Sequence, residues 1–381
     1  MKNYFIIAIL TIILNTNAYS DHKIEEQNFT GVSYKVQGGD NYQKLETELV
    51  DNKLSQYVQK QLDNRDKTGL VNYLLYENGK IVINKKNYTD EIKKNKNILL
   101  SNSVGKSMIS YVVGHASCKY GIDLNAKMND WDVLNDTLYA DSTLLQALNM
   151  KAGDQNYVGE RKFRGDGFVH GDEMNRINTK TVAWTMMRFF KGSERVKRPL
   201  YNYSAMSTQV AINYVIHKVG IDNYQKLLTE IFTDHVGVKN TIHFSKTSWS
   251  PKDIQYGSAR YSFFATSEDY LRVAKTIMND YHSDSCIGDY LRNIYDNRVK
   301  KNVKDPRITN KHSAAATYEY GGQFHFSYIG MKKRVIFAMD GYGGQQVIID
   351  MDNKRILIVN AVDEHYNWNK IVYKVIKKGI K

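Results

Sequence analysis

The chain of 381 residues is 42% apolar and 24% charged with three prolines, and nothing in it resembles a long Pro/Ser linker or a fixed-period repeat, so one globular unit with an inserted subdomain is expected. Its formal charge of +13, from 53 basic and 40 acidic residues, would favour acidic substrates, anionic lipid or cell-wall polymer. The lysines and arginines are scattered as on a solvated surface, with no basic stripe and no recognised module, so nucleic acid is not an expected partner.

The chain opens Met-Lys-Asn, runs from Tyr4 to Leu14 without a charge, and continues Asn15-Thr16-Asn17-Ala18-Tyr19-Ser20. A basic start, about eleven apolar residues and small residues before a polar boundary describe a secretory signal, so residues 1–20 are expected to be removed on export to the periplasm or beyond. A membrane helix needs roughly twenty apolar residues, so no transmembrane anchor is expected after cleavage. Residues 21–66 read as an N-terminal helical extension, with a charge-rich helical pattern at 42–64, ahead of a main domain over 67–381. The runs 71–75 and 81–83 flank Glu77-Asn78-Gly79-Lys80, and Asn-Gly between β-prone runs predicts a hairpin because both central residues need positive φ.

Ser103-Val104-Gly105-Lys106 opens a segment, 103–119, that is apolar on almost every face and so reads as a helix inside the protein. Positions i and i+3 share a helical face, which brings the Ser103 hydroxyl to the Lys106 amine. In the first turn the backbone N–H groups lack intrahelical partners and the dipole end is positive, so Ser103 carries its own anion-stabilising donor. Desolvation disfavours an ammonium and leaves Lys106 an amine that can act as a base. Serine and lysine at this spacing also recur by chance; the placement at the mouth of a buried helix is what points to chemistry. Leu100 stands where a phosphate-binding loop needs a glycine, and Ser101 where a G-x-S-x-G elbow needs its first. On the same helix, His115 reads as a satisfied core residue and Cys118 as a small apolar one. Whether Cys118 pairs with Cys286 stays open, because sequence does not supply their distance.

Short helices and loops follow from 121 to 200, among them 143–150 and 179–190, within a helical subdomain placed at about 121–250. Further helices are expected at 204–218, 222–233, 267–280 and 286–297. Tyr203, in Tyr201-Asn202-Tyr203-Ser204-Ala205, could pass a proton to a leaving group if it lies beside the lysine; among 28 tyrosines, a core aromatic is the ordinary role. The C-terminal part turns to strands at 318–328, 334–339, 345–350 and 355–360, closed by an amphipathic helix near 364–378. A sheet built from both ends of the chain with helices between them is an α+β arrangement. Gly341-Tyr342-Gly343-Gly344-Gln345 opens a strand where the backbone can approach an acyl group and the Tyr342 N–H can serve as a second oxyanion donor; a tight loop is the plainer reading. His325 stands on a strand that could line the cleft. The histidines show no H-E-x-x-H and no ligand spacing, so no metal is expected, and no cofactor is needed where serine, lysine and tyrosine suffice for acyl transfer.

Taken in order, these segments resemble the serine β-lactamase-related, penicillin-binding-protein-like hydrolases, class C-like and nearest the 6-aminohexanoate-dimer hydrolase and esterase branch. The likeness spans roughly 70–375: the hairpin 74–83, Ser101-Asn-Ser-Val-Gly-Lys-Ser107, and Thr143-Leu-Leu-Gln-Ala-Leu-Asn-Met-Lys-Ala-Gly153. It continues through Tyr203-Ser204, Ala265-Thr-Ser-Glu-Asp269, Tyr320-Gly321 and Gly341–Gln345. The resemblance implies a β-lactamase/transpeptidase-like fold, an antiparallel sheet flanked by helices with an inserted helical subdomain. It implies Ser103 as nucleophile, Lys106 as base, Tyr203 as proton shuttle, the N–H groups of Ser103 and Tyr342 as oxyanion hole, and a substrate wall including Gly341, Gly343, Asp340 and His325. Two departures bear on substrate. Tyr203-Ser204-Ala205 stands where such enzymes have Tyr-x-Asn, and Met339-Asp340-Gly341 where they have a basic residue with Thr-Gly. An aspartate there repels a carboxylate. The expected partner is therefore a small ester or amide with a neutral or cationic acyl group. The alternatives are a β-lactamase or D-Ala peptidase type of cell-wall enzyme, or a catalytically weak wall-polymer or ligand-binding protein on the same fold.

Overall fold

A computed structural model describes residues 33–158, 180–247, 257–302, 308 and 313–380. The leader expected at 1–20 lies outside these residues, as does Thr179 at the start of the expected 179–190 helix.

Two antiparallel sheets organise the molecule. The larger has eight strands in the order β3-β2-β12-β11-β10-β9-β8-β7. They are β2 (Leu70–Glu77), β3 (Lys80–Lys86), β7 (Val299–Lys300), β8 (Thr317–Gly321), β9 (Phe324–Tyr328), β10 (Ile336–Gly341), β11 (Gln345–Asp350) and β12 (Arg355–Ala361). The smaller has the order β1-β5-β6-β4, from β1 (Ser33–Val36), β4 (Leu99–Leu100), β5 (Ile242–Lys246) and β6 (Ala259–Ala265).

The inner strands of the large sheet are apolar on both faces, because both are covered. Val347, Ile349, Ile356 and Ile358 face one core with Met108, Val112 and Ile277 of the helices Val104–Tyr120 and Ser267–Tyr281. Their neighbours Ile348, Leu357 and Val359 face the other, with Val58 and Leu62 from the helix Lys53–Asp63 and Ile371, Val372 and Ile376 from the C-terminal turns. The expected hairpin forms with Asn78 at φ 54° and Gly79 at φ 85°.

Several expectations need correction. The pattern at 42–64 forms a helix only over Lys53–Asp63, where the Asn52 side chain accepts from the Ser55 N–H and starts it. The preceding residues include the strand β1 and an extended stretch bridging Thr47 to Ile81. The run 318–328 is two strands, turned at Gly322 and Gln323 with φ of 50° and 67°. The strand β5 falls within the 121–250 span expected to be helical, and neither it nor β6 was among the expected strands. Cys118 and Cys286 are bonded, their Cα atoms 5.8 Å apart, joining the helices Val104–Tyr120 and Cys286–Asp296. Among the described residues no helix is long and apolar enough to cross a membrane.

Candidate active site

Ser103 stands where three pieces of backbone press together. The edge strand β4 pairs with β6, and the lock continues past it: the Ser101 N–H donates to the Phe263 carbonyl at 2.8 Å, and the Phe263 N–H to Ser101 Oγ at 2.8 Å. Asn102, at φ 46°, turns the chain sharply so that Ser103 stands at the N-terminal boundary of the helix Val104–Tyr120, its side chain making no capping bond. Gly105 lets that helix lie on β6, for a Cβ there would sit 2.0 Å from the Tyr261 carbonyl oxygen. Gly341 does the same from the other side, its absent Cβ being 2.5 Å from the Ser101 carbonyl oxygen. The Asn102 amide then donates to the Tyr342 carbonyl at 2.7 Å, tying the end of β10 to the turn that carries Ser103.

One helical turn into the helix, Lys106 is 2% exposed and its Nζ lies 2.8 Å from Ser103 Oγ. The ammonium position faces two rings, with Nζ 4.8 Å from the centroid of Tyr203 and 3.9 Å from that of Tyr261. Tyr261 was not foreseen. Its hydroxyl pKa is raised by burial, opposed by the Arg260 charge and by a hydrogen bond with Ser103.

The segment that carries Tyr203 is anchored by a buried carboxylate. Asp154 accepts from Tyr139 Oη at 2.7 Å, from Asn202 Nδ2 at 2.8 Å and from Ser207 Oγ at 3.1 Å. It thereby fixes the residues on both sides of Tyr203, and the Asn202 N–H adds a bond to the Met150 carbonyl at 2.8 Å. The 143–153 segment thus supports Tyr203: its last turn supplies the carbonyl, and the residue after it the carboxylate. Burial raises the Asp154 carboxyl above its ordinary range, although all three donors pull it down. Tyr203 also packs edge-on against Tyr320 of β8, at 6.0 Å between centroids.

A cavity of about 480 Å³ opens in front of Ser103. It brings together Ser103, Tyr203, His325, Asp340, Gly341 and Tyr342 from the expected set, with Lys106 buried behind the serine. Gly343 is not on the cavity wall; with Gly344 it shapes the β10–β11 turn, at φ 78° and 90°. Tyr201, Lys301 and Glu364 also line the cavity. Lys301 is 7% exposed and donates to the Ala314 carbonyl at 2.9 Å, with its Nζ 3.2 Å from His325 Nδ1. Asp340 Oδ1 accepts from the Ser313 N–H at 3.2 Å and from the Gln346 amide, so part of that carboxylate is already engaged.

No family model matches the chain, and no curated protein sequence does. Among solved structures, one described as a 6-aminohexanoate-dimer hydrolase from Bacillus anthracis aligns with TM-score 0.64 at 14% identity, covering 91% of this chain and 89% of that one. The D-amino acid amidase from Ochrobactrum anthropi SV3, complexed with L-phenylalanine, aligns with TM-score 0.56 at 13% identity over 86% of this chain and 98% of that one. A class C β-lactamase from Rhodobacter sphaeroides aligns with TM-score 0.55 at 9% identity over 86% of this chain and 99% of that one. Identities this low speak to architecture alone. The chain has the serine β-lactamase/transpeptidase-like fold.

Proposed function

We propose that this chain is a serine hydrolase that cleaves an ester or amide bond through an acyl-enzyme on Ser103. The observation that carries the reading is the 2.8 Å contact between Ser103 Oγ and the buried Lys106 Nζ, at the mouth of a cavity. In this reading the Lys106 amine takes the Ser103 proton as Oγ bonds to the substrate carbonyl carbon. In the same reading the resulting oxyanion is held by the N–H groups of Ser103 and Tyr342, which the Asn102–Tyr342 bond supports because it ties the end of β10 to the turn that carries Ser103. As the tetrahedral adduct collapses, Tyr203 relays the proton to the departing alcohol or amine. Water then attacks the acyl ester, releasing the acid and returning a proton to Ser103. A fluorophosphonate probe should label Ser103, and the wild type should turn over a p-nitrophenyl ester while folded Ser103→Ala does not. Undiminished turnover by that variant would sink the assignment.

One observation favours a second reading, a cell-wall enzyme of the β-lactamase or D-Ala peptidase type. The Lys301 amine lines the cavity beside His325, and a cation there could face a substrate carboxylate. Asp340 on the same wall argues for neutral or cationic acyl groups. Side-by-side rates on p-nitrophenyl acetate and nitrocefin separate the two, the first reading requiring the neutral ester to be the much faster substrate.

A further inference from the structure

Twelve residues beyond Ser103, about 18 Å along the helix at 1.5 Å per residue, a second group of chemical side chains converges outside the active site. His115 comes from the helix Val104–Tyr120, Asp280 from the helix Ser267–Tyr281, and His235 from the π-helical segment Glu230–His235. One donor atom from each of the three lies within 4.8 Å of the others. We propose that His115, His235 and Asp280 bind a borderline divalent transition-metal cation, with zinc as the type ion.

The strongest pointer is His115, expected from the sequence to be a satisfied core residue. Its Nε2 is buried and has no hydrogen-bond partner. Leaving a buried nitrogen unpaired is destabilising, and a metal at that lone pair removes the cost. The other two groups are hydrogen-bonded to each other, and an ion would take the place of the proton they share. His235 Nε2 is 3.0 Å from both oxygens of Asp280, and the Tyr111 hydroxyl donates to Asp280 Oδ2, the outer support that orients a ligating carboxylate. Two imidazoles and a carboxylate are a donor set that zinc accepts in open, three-ligand sites. Metal–ligand bonds of about 2.0–2.2 Å place donors roughly 3.4 Å apart, so side-chain rotation has little distance to close. His235 is 42% exposed, which gives the ion a way in and a solvent-facing fourth position. The Cys118–Cys286 bond lies one turn beyond His115 and fixes the helix that carries it.

The test is calorimetric titration of zinc chloride into the full, untagged chain after chelator treatment, paired with thermal unfolding. One equivalent should bind and raise the unfolding midpoint. His115→Gln and His235→Gln should each weaken the zinc Kd at least tenfold, while His365→Gln, at an exposed position, should leave it unchanged. Cobalt should give the visible absorption of a low-coordinate site in the wild type and lose it in both ligand variants. No stoichiometric binding by the wild type, or the same Kd in folded His235→Gln, overturns the proposal. Because His235 is exposed, its variant keeps the test open even where His115→Gln fails to fold.

Discussion

Replacing Gly105 by alanine sets two effects of known size against each other. Alanine favours a helical position over glycine by about 1 kcal/mol, so on propensity alone the variant should be more stable. The added Cβ, however, falls 2.0 Å from the Tyr261 carbonyl oxygen and 2.9 Å from the Phe263 nitrogen, where ordinary contact begins at 3.4 Å. These are backbone atoms of β6 and cannot swing aside, so the start of the helix must back away by more than an ångström. Overpacking of that kind costs about 1–3 kcal/mol or more, enough to cancel the propensity gain and leave a net loss. The larger effect is on chemistry, since the same shift displaces Ser103 and Lys106 relative to Tyr203 and Tyr342. A misplacement of about 1 Å is worth roughly a hundredfold in rate. Gly105→Ala should therefore lower kcat on a p-nitrophenyl ester by about two orders of magnitude, with a smaller fall in urea midpoint. Wild-type kcat at equal or higher stability would refute the view that this glycine exists to seat the helix on β6.

Lys106→Ala and Tyr203→Phe should each lower kcat by about a hundredfold or more, as for loss of general acid–base catalysis, with the fold intact by circular dichroism. If Tyr203→Phe retains wild-type rates, Tyr261→Phe is the next variant to measure, given its contacts with Lys106 and Ser103. Asp154→Asn offers one acceptor oxygen to three donors and should cost about 1–3 kcal/mol at neutral pH. Burial raises the Asp154 carboxyl above its ordinary 3.8, so its contribution is fullest below pH 3.8 and is lost as pH rises through the native value. The wild type should accordingly gain on Asp154→Asn as pH falls from neutrality toward about 4, and a gap independent of pH would contradict the burial argument. The Cys118→Ser, Cys286→Ser double variant releases a cross-link spanning 168 residues and should lose about 2–4 kcal/mol in denaturant melts under oxidising conditions, with no such loss relative to reduced wild type.

The parts of this molecule that announce themselves in sequence are those whose signal is local. Asn78-Gly79 needs only its own φ preferences, and the helix after Ser103 is buried all round, so its composition suffices. The C-terminal strands are apolar runs separated by turn residues. What escapes depends on partners far along the chain. In β6, Ala259, Tyr261, Phe263 and Ala265 share one face with Arg260 and Ser262 between them, so the alternation of a strand is there to be read, but that Tyr261 faces Lys106 depends on packing across the chain. Lys301 acquires meaning only when β8 and β9 pair with Tyr320 opposite His325. The disulfide and the His115 cluster each require separate helices to be packed before any distance exists. At 42–64 the charge pattern suited a helix throughout, but residues before Asn52 are drawn into an extended path beside β3, where Glu48 and Val50 hydrogen-bond the strand backbone.

The order of the large sheet also sets a timetable for folding. The β2–β3 hairpin needs only neighbouring residues and can form as soon as they emerge. The other edge of β2 belongs to β12, where Tyr76 pairs with Ile356, positions whose numbers differ by 280. Closing so long a loop costs entropy before any contact rewards it, so this pairing comes late. Until then an eight-residue strand, buried along its whole length in the finished protein, presents an open and mostly apolar edge to any other chain nearby. A chain stopped before Arg355 would keep that edge for good, because the strand it lacks is an internal one.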